Sequence, residues 1–158
     1  MMARKEQEVL QALYMWRLAH GGESPPLDSF DRDFNRLRDK PVDTINILSR
    51  LSPRFVKPLR YADGRPDPRS RVILRLEGVA RCRGSDDDIR RFMAALQWMI
   101  RQNKRYDPPP EKIGCGMSIS AEQLSTELEL PLRSDPDSIK RLMALLEAEG
   151  LVSDDEYA

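Results

Sequence analysis

Phe55-Val56-Lys57-Pro58-Leu59-Arg60-Tyr61-Ala62-Asp63-Gly64-Arg65-Pro66-Asp67-Pro68-Arg69-Ser70-Arg71-Val72-Ile73-Leu74-Arg75-Leu76 is the stretch whose reading decides the fold. Two arms, 55–61 and 71–76, flank a segment, 62–70, rich in glycine, proline and aspartate, residues that favour turns over continued helix or strand. In the second arm Val72, Leu74 and Leu76 alternate with Ile73 and Arg75, the pattern of a strand with one strongly buried face. The expectation is a β-hairpin with a long basic tip.

Upstream the apolar period is helical. Val9, Leu10, Leu13, Trp16 and Leu18 leave a broad apolar face on a helix over 5–20, which Gly21-Gly22 stops. After Pro25-Pro26, Leu27, Phe30, Phe34 and Leu37 fall three and four apart, so a second helix buries one face. Pro41 suits the first turn of a third helix with Asp39 as its cap, and Ile45, Leu48 and Leu51 form its stripe before Pro53 ends it.

Downstream, Ser85 followed by Asp86, Asp87 and Asp88 starts a helix strongly, because carboxylates meet the unpaired amides and the positive end of the helix dipole. Ile89, Phe92, Met93, Leu96, Met99, Ile100 and Asn103 keep helical spacing to about Lys104, and Pro108-Pro109-Pro110 forbids continuation. Within that helix Met93 and Leu96 are expected in the core, and Trp98 is the residue to test for exposure. Met117 to Ile119 reads as a short strand, and Ser120-Ala121-Glu122-Gln123 as a capping box opening a helix with Leu124 and Leu128. Leu130-Pro131-Leu132 turns the chain, Asp135 caps, and Ile139, Leu142, Met143 and Leu146 line a last helix closed by Gly150, with Leu151-Val152 folding back.

The phrase from Ile119 to Leu130, followed by the run from Ile139 to Val152, resembles the second and third helices of bacterial winged helix-turn-helix domains. The likeness is close over 117–152. Over 5–80 it lies in element order alone, three helices and then a hairpin. The fold class expected is therefore mainly α with a short β-hairpin, arranged as tandem winged-helix-like units: a basic unit at 1–83, and a second helix-turn-helix unit at 84–158 with a long leading helix. Two departures stand out. Only Ser153 to Ala158 follows the last helix, so the second unit lacks a full wing or the chain is a fragment. The last helix offers Ser138, Lys140, Arg141, Glu147 and Glu149 as its outward residues, two cations beside two anions, a poor reader of DNA bases.

Composition bounds the function. The formal charge is zero, yet 1–83 holds 17 Lys or Arg against 11 Asp or Glu, whereas 84–158 holds 9 against 15. Ten basic residues fall between 50 and 83 (Arg50, Arg54, Lys57, Arg60, Arg65, Arg69, Arg71, Arg75, Arg81 and Arg83), with three acidic ones among them. Such asymmetry suits a polyanion or an acidic partner, or two halves that attract each other. Asn46, Ser49 and Arg50 share the polar face of the third helix, Arg65, Arg69 and Arg71 stand at or near the wing, and Arg54 lies between. These seven are the candidate nucleic-acid-binding residues, suited to phosphate contact more than to base reading.

Catalysis and cofactors are not expected. His20 is the single histidine, and Cys82 and Cys115 lack paired ligand spacing, so no metal site is indicated. Gly114-Cys115-Gly116 lacks the remaining features of a phosphate loop or a dinucleotide fingerprint. Asp86, Asp87 and Asp88 are sufficiently explained by the helix dipole. No apolar run, Val72-Ile73-Leu74 included, approaches the about 20 residues of a membrane span, and no signal-peptide core opens the chain. The sequence thus points to a cytoplasmic, non-catalytic winged-helix binding protein. Its partner is DNA in a regulatory role or, as the alternative, a protein partner of an assembly adaptor; a second copy packing on the long helix as a homodimer is a further option.

Overall fold

A computed structural model of the chain describes residues 2–106 and 136–152, with side chains at 2–101 and 137–152. The strand expected at 117–119, the capping box at 120–123, the turn at 130–132, Asp135 as a cap and the Gly114-Cys115-Gly116 turn lie outside the described residues. The described chain is mainly α-helical with one short antiparallel hairpin. Among the described residues no helix is long and apolar enough to cross a membrane.

Helix α1 spans Arg4–Ala19 and buries Val9, Leu10, Leu13, Tyr14 and Arg17. Beyond it the Gly22 N–H reaches back to the Arg17 carbonyl at 2.8 Å, occupying an acceptor that the helix end would leave open. Leu18, expected on the inner face, lies at the surface because the inner arc is taken by Tyr14 and Arg17, whose partners are described below.

Helix α2, Leu27–Asn35, buries Leu27 and Phe30. It ends before Leu37, which is 93% exposed rather than part of the apolar stripe. The reason is local. The Asn35 amide donates to the Val42 carbonyl at 3.1 Å and accepts from the Val42 N–H at 2.7 Å, so the chain turns there instead of continuing as helix. Asp31 accepts from the Thr44 hydroxyl at 2.5 Å and pins the start of the next helix.

Helix α3 is Thr44–Leu51, shorter than expected and capped by Asp43, whose carboxylate accepts from the Asn46 N–H at 3.1 Å. Asp39 is therefore not the cap, and Pro41 lies outside the helix. Ile47, Leu48 and Leu51 face the core. Ile45 lies about 200° around the helix from Ile47 and meets solvent.

The expected hairpin forms in a tighter shape. Strand β1 (Tyr61–Ala62) pairs antiparallel with β2 (Arg65–Pro66), with Ala62 opposite Arg65. Asp63 and Gly64 have φ of 54° and 76°, the left-handed pair required by a two-residue hairpin turn, which glycine and aspartate tolerate best. Below the tip, isolated bridges join Val56 to Leu74 and Pro26 to Arg71. The Val72 N–H bonds the Pro25 carbonyl, and the Lys57 N–H bonds that of Ile73. Segment 70–75 therefore runs between 25–27 and 55–57, and 55–75, hairpin included, is called the ribbon. Val72 and Leu74 are buried as the alternation requires.

The strand expected through Leu76 stops short, because Leu76–Ala80 is a short helix, α4, that the alternating pattern concealed. A Cβ on Gly78 would stand 2.2 Å from the Phe55 carbonyl oxygen, so only glycine permits this approach of α4 to the ribbon.

Helix α5, Asp86–Tyr106, is the longest described. Its buried arc contains Asp88, Phe92, Ala95 and Trp98. Met93, expected in the core, is 45% exposed and Leu96 is half-buried, whereas Trp98, the residue to test for exposure, is 7% exposed. The arc is rotated because it includes a buried carboxylate, which an apolar pattern does not count.

The last described helix, Pro136–Ala148 and here α6, packs Ile139, Leu142, Leu145 and Leu146 inward. Each such side chain contributes roughly 1.5–3 kcal/mol on burial. Its end is a Schellman turn: the Leu151 N–H bonds the Leu146 carbonyl and the Gly150 N–H that of Glu147. One hydrophobic cluster includes Leu10 and Leu13 of α1, Leu48 of α3, Val72 and Leu74 of the ribbon, Phe92 of α5 and Leu146 of α6.

Candidate nucleic-acid interface

Asn46, Ser49 and Arg50 are all exposed on α3. The Ser49 hydroxyl donates to the Ile45 carbonyl at 2.9 Å, so its proton is already used within the helix. Arg50, in the last turn, has no carboxylate within ion-pair distance among the described residues.

The hairpin places Arg65 on β2 and Arg69 in the bend that follows, both exposed and neither ion-paired among the described residues. That bend is firm. The Asp67 carboxylate accepts from the Arg69 N–H at 2.9 Å, the Ser70 hydroxyl from the Arg60 N–H at 2.9 Å, and the Asp67 N–H reaches the Arg60 carbonyl at 2.8 Å. Arg71 is exposed but oriented, its guanidinium donating to the Ser24 carbonyl at 2.8 Å. Tyr61, also exposed, adds an aromatic ring at the hairpin that the sequence did not single out.

Arg54 differs from the other candidates. It ion-pairs with Glu77 and lies over the Phe55 ring at 4.9 Å. Arg75, counted in the same basic stretch, pairs with Glu149 at 2.9 Å, and the other oxygen of that carboxylate accepts from the Leu76 N–H at the start of α4. Glu149 is thus a tether between α6 and the ribbon, not an outward residue. Ser138 and Arg141 are likewise turned inward, whereas Lys140 remains exposed.

Arg141 belongs to a buried cluster that sequence patterning missed. Asp88 of α5 accepts from the Tyr14 hydroxyl at 2.8 Å, from Arg141 Nε at 3.1 Å and from Arg91 at 3.4 Å. Arg17, 3% exposed, donates to the Arg141 carbonyl at 3.4 Å, and its Nε has no hydrogen-bond partner among the described residues. Burial, followed by the bond to Asp88, pushes the Tyr14 phenol well above its ordinary range. Burial also lowers Arg17, against the pull of Asp88. Cys82 is buried, with Sγ 3.3 Å from the Gly78 carbonyl oxygen, and burial raises its thiol from 9.0 to about 12. A thiol held protonated is a poor nucleophile. A signal for the cluster was present in Asp88 itself, the one carboxylate of the acidic triplet in phase with Phe92 and Ala95.

The arrangement can hold anions along the ribbon by charge and by guanidinium hydrogen bonds. Neither a family model, nor a curated protein, nor a solved structure matches the chain.

Proposed function

We propose that this chain is a non-catalytic, cytoplasmic binding protein of winged-helix type, built from tandem units at 1–83 and 84–158, that contacts duplex DNA through phosphates in a regulatory role. The observation that carries the reading is the ribbon itself. Arg65, Arg69 and Arg71 stand exposed on the hairpin, on the bend after it and on the adjoining 70–75 segment, without ion-pair partners among the described residues, while Arg54 and Arg75 of the same stretch are consumed by carboxylates. The order 25–27, 70–75, 55–57 of the extended segments, the first between α1 and α2 and the other two after α3, supports the winged-helix part. A basic hairpin of this kind can follow the backbone or enter the minor groove, where arginine meets enhanced negative potential.

The test is binding to random-sequence duplex DNA at several salt concentrations. Replacing Arg65, Arg69 and Arg71 together by Ala weakens binding to every sequence by a similar factor. It also lowers the magnitude of the salt slope by about 2.7, at roughly 0.9 per phosphate contact. A triple variant with the wild-type slope places the contact surface elsewhere.

A second reading is an assembly adaptor for a protein partner. It is favoured by Met93 and Ile100, seven residues apart on α5 and both exposed. Absence of duplex binding by the wild-type chain at low salt selects it over DNA.

A further inference from the structure

Between the ribbon and α6 lies an open cleft of about 610 Å³, within the about 300–1,000 Å³ that small-molecule sites occupy. Segments far apart in sequence build it: the turn at 22–24, the ribbon at 57–60 and 70–73, and the C-terminal half of α6. The ribbon contributes Lys57, Arg60 and Arg71, with Ser70 among them. Arg71 is held by its bond to the Ser24 carbonyl, and Lys57 and Arg60 have no ion-pair partner among the described residues. Ser70 is almost wholly buried. Its hydroxyl accepts from the Arg60 N–H, and among the described residues nothing accepts its own proton. The remaining lining has different chemistry. Glu23 is an acceptor for hydroxyl or amino groups, and Pro58, Ile73, Ala144 and Ala148 offer apolar surface to a ring or carbon skeleton.

We propose that this cleft binds a phosphomonoester whose body carries hydrogen-bond donors, a nucleoside monophosphate or a sugar phosphate. A carboxylate brings one charge and two oxygens. A phosphomonoester brings nearly two charges and three strong acceptor oxygens, and so matches two guanidinium groups, an ammonium and a free hydroxyl proton. Glu23 opposes a bare anion and favours a ligand whose donors reach it. The inference does not depend on DNA binding. Lys57 and Arg60 are outside the residues assigned to that surface, so the two can fail separately.

The experiment is isothermal titration of the full chain with adenosine monophosphate, glucose 6-phosphate, inorganic phosphate and adenosine. At least one ester binds saturably and more tightly than inorganic phosphate or adenosine, and which ester it is identifies the source. Arg60→Ala weakens that ester about tenfold, the scale of one charge-assisted hydrogen bond. Because Arg60 is exposed, the melting temperature is unchanged; if it falls, Lys57→Met replaces the variant with the same expectation. Glu23→Gln weakens the ester but leaves inorganic phosphate unweakened. The proposal is overturned if neither ester binds at millimolar concentration, if ester and inorganic phosphate bind equally, or if the cation variants keep wild-type affinity.

Discussion

The basic ribbon and the Asp88 cluster are both rich in arginine, and they use it in opposite ways. On the ribbon Arg65 and Arg69 are exposed and their charge is directed outward. Around Asp88, Arg17, Arg91 and Arg141 surround one carboxylate, and the first is almost wholly buried. An exposed guanidinium costs little to keep and is available to an anion. A buried one must be matched, because removing charge from water costs several kcal/mol per ion. The comparison teaches that arginine count in a stretch reports little until the location of each carboxylate is known.

The largest expected effect comes from breaking the buried side. Asp88→Asn keeps the shape of the side chain but removes the charge that Arg17 and Arg141 face, and should destabilise the fold by about 3–5 kcal/mol, the usual cost of breaking a buried pair from one side. Urea denaturation measures it; a loss below about 1 kcal/mol, the ceiling typical of exposed pairs, would put the cluster in the same class as the surface.

Alkali probes the same region by titration. The Cys82 thiol is raised from 9.0 to about 12 in the folded chain, so the unfolded chain gives up its proton first. The stability this group contributes is complete below pH 9 and is lost as pH rises from 9 towards 12. Tyr14, shifted in the same direction, adds to the loss. Melting temperature should fall across that window, and Cys82→Ala should make the fall shallower. An equal slope in the variant would mean that the thiol titrates at its ordinary value.

On the exposed side the effects on folding are small. Arg54→Ala removes an ion pair whose two side chains are largely in water, and should cost no more than about 1 kcal/mol. Single replacements of Arg65 and Arg69 should change stability less still, each within about 0.5 kcal/mol, while the triple replacement with Arg71 changes the salt slope of duplex binding. A marked loss of stability in either single variant would show that the ribbon arginines hold the fold rather than face a partner.

Much of the framework was legible because its causes are local. Gly21-Gly22, Pro136 and Gly150 mark helix boundaries through backbone geometry that depends on neighbours in sequence. The alternation of Val72 and Leu74 identified the buried face of the ribbon. Leu37 keeps the helical phase of Leu27, Phe30 and Phe34, and only the grip of Asn35 on Val42 ends the helix before it. Met93 lies outside the core because the inner arc of α5 includes Asp88, which an apolar period does not count.

The candidate interface was legible to a lesser degree. The basic stretch was visible as composition, and its hairpin as turn chemistry. Lys57 and Arg60 were counted there, but nothing in the chain order indicates that α6 forms the facing part of a cleft with them.

By itself the sequence determined the helix boundaries at Gly21-Gly22, Pro136 and Gly150, the hairpin turn and the buried face of 72–74, because propensity, capping and turn geometry act over a few residues. Only the tertiary structure decided which charges are partners. Tyr14 meets Asp88 across 74 positions, Arg75 meets Glu149 across 74, and Arg141 meets Asp88 across 53. Coulombic matching depends on distance and burial in space, and periodicity along the chain contains neither.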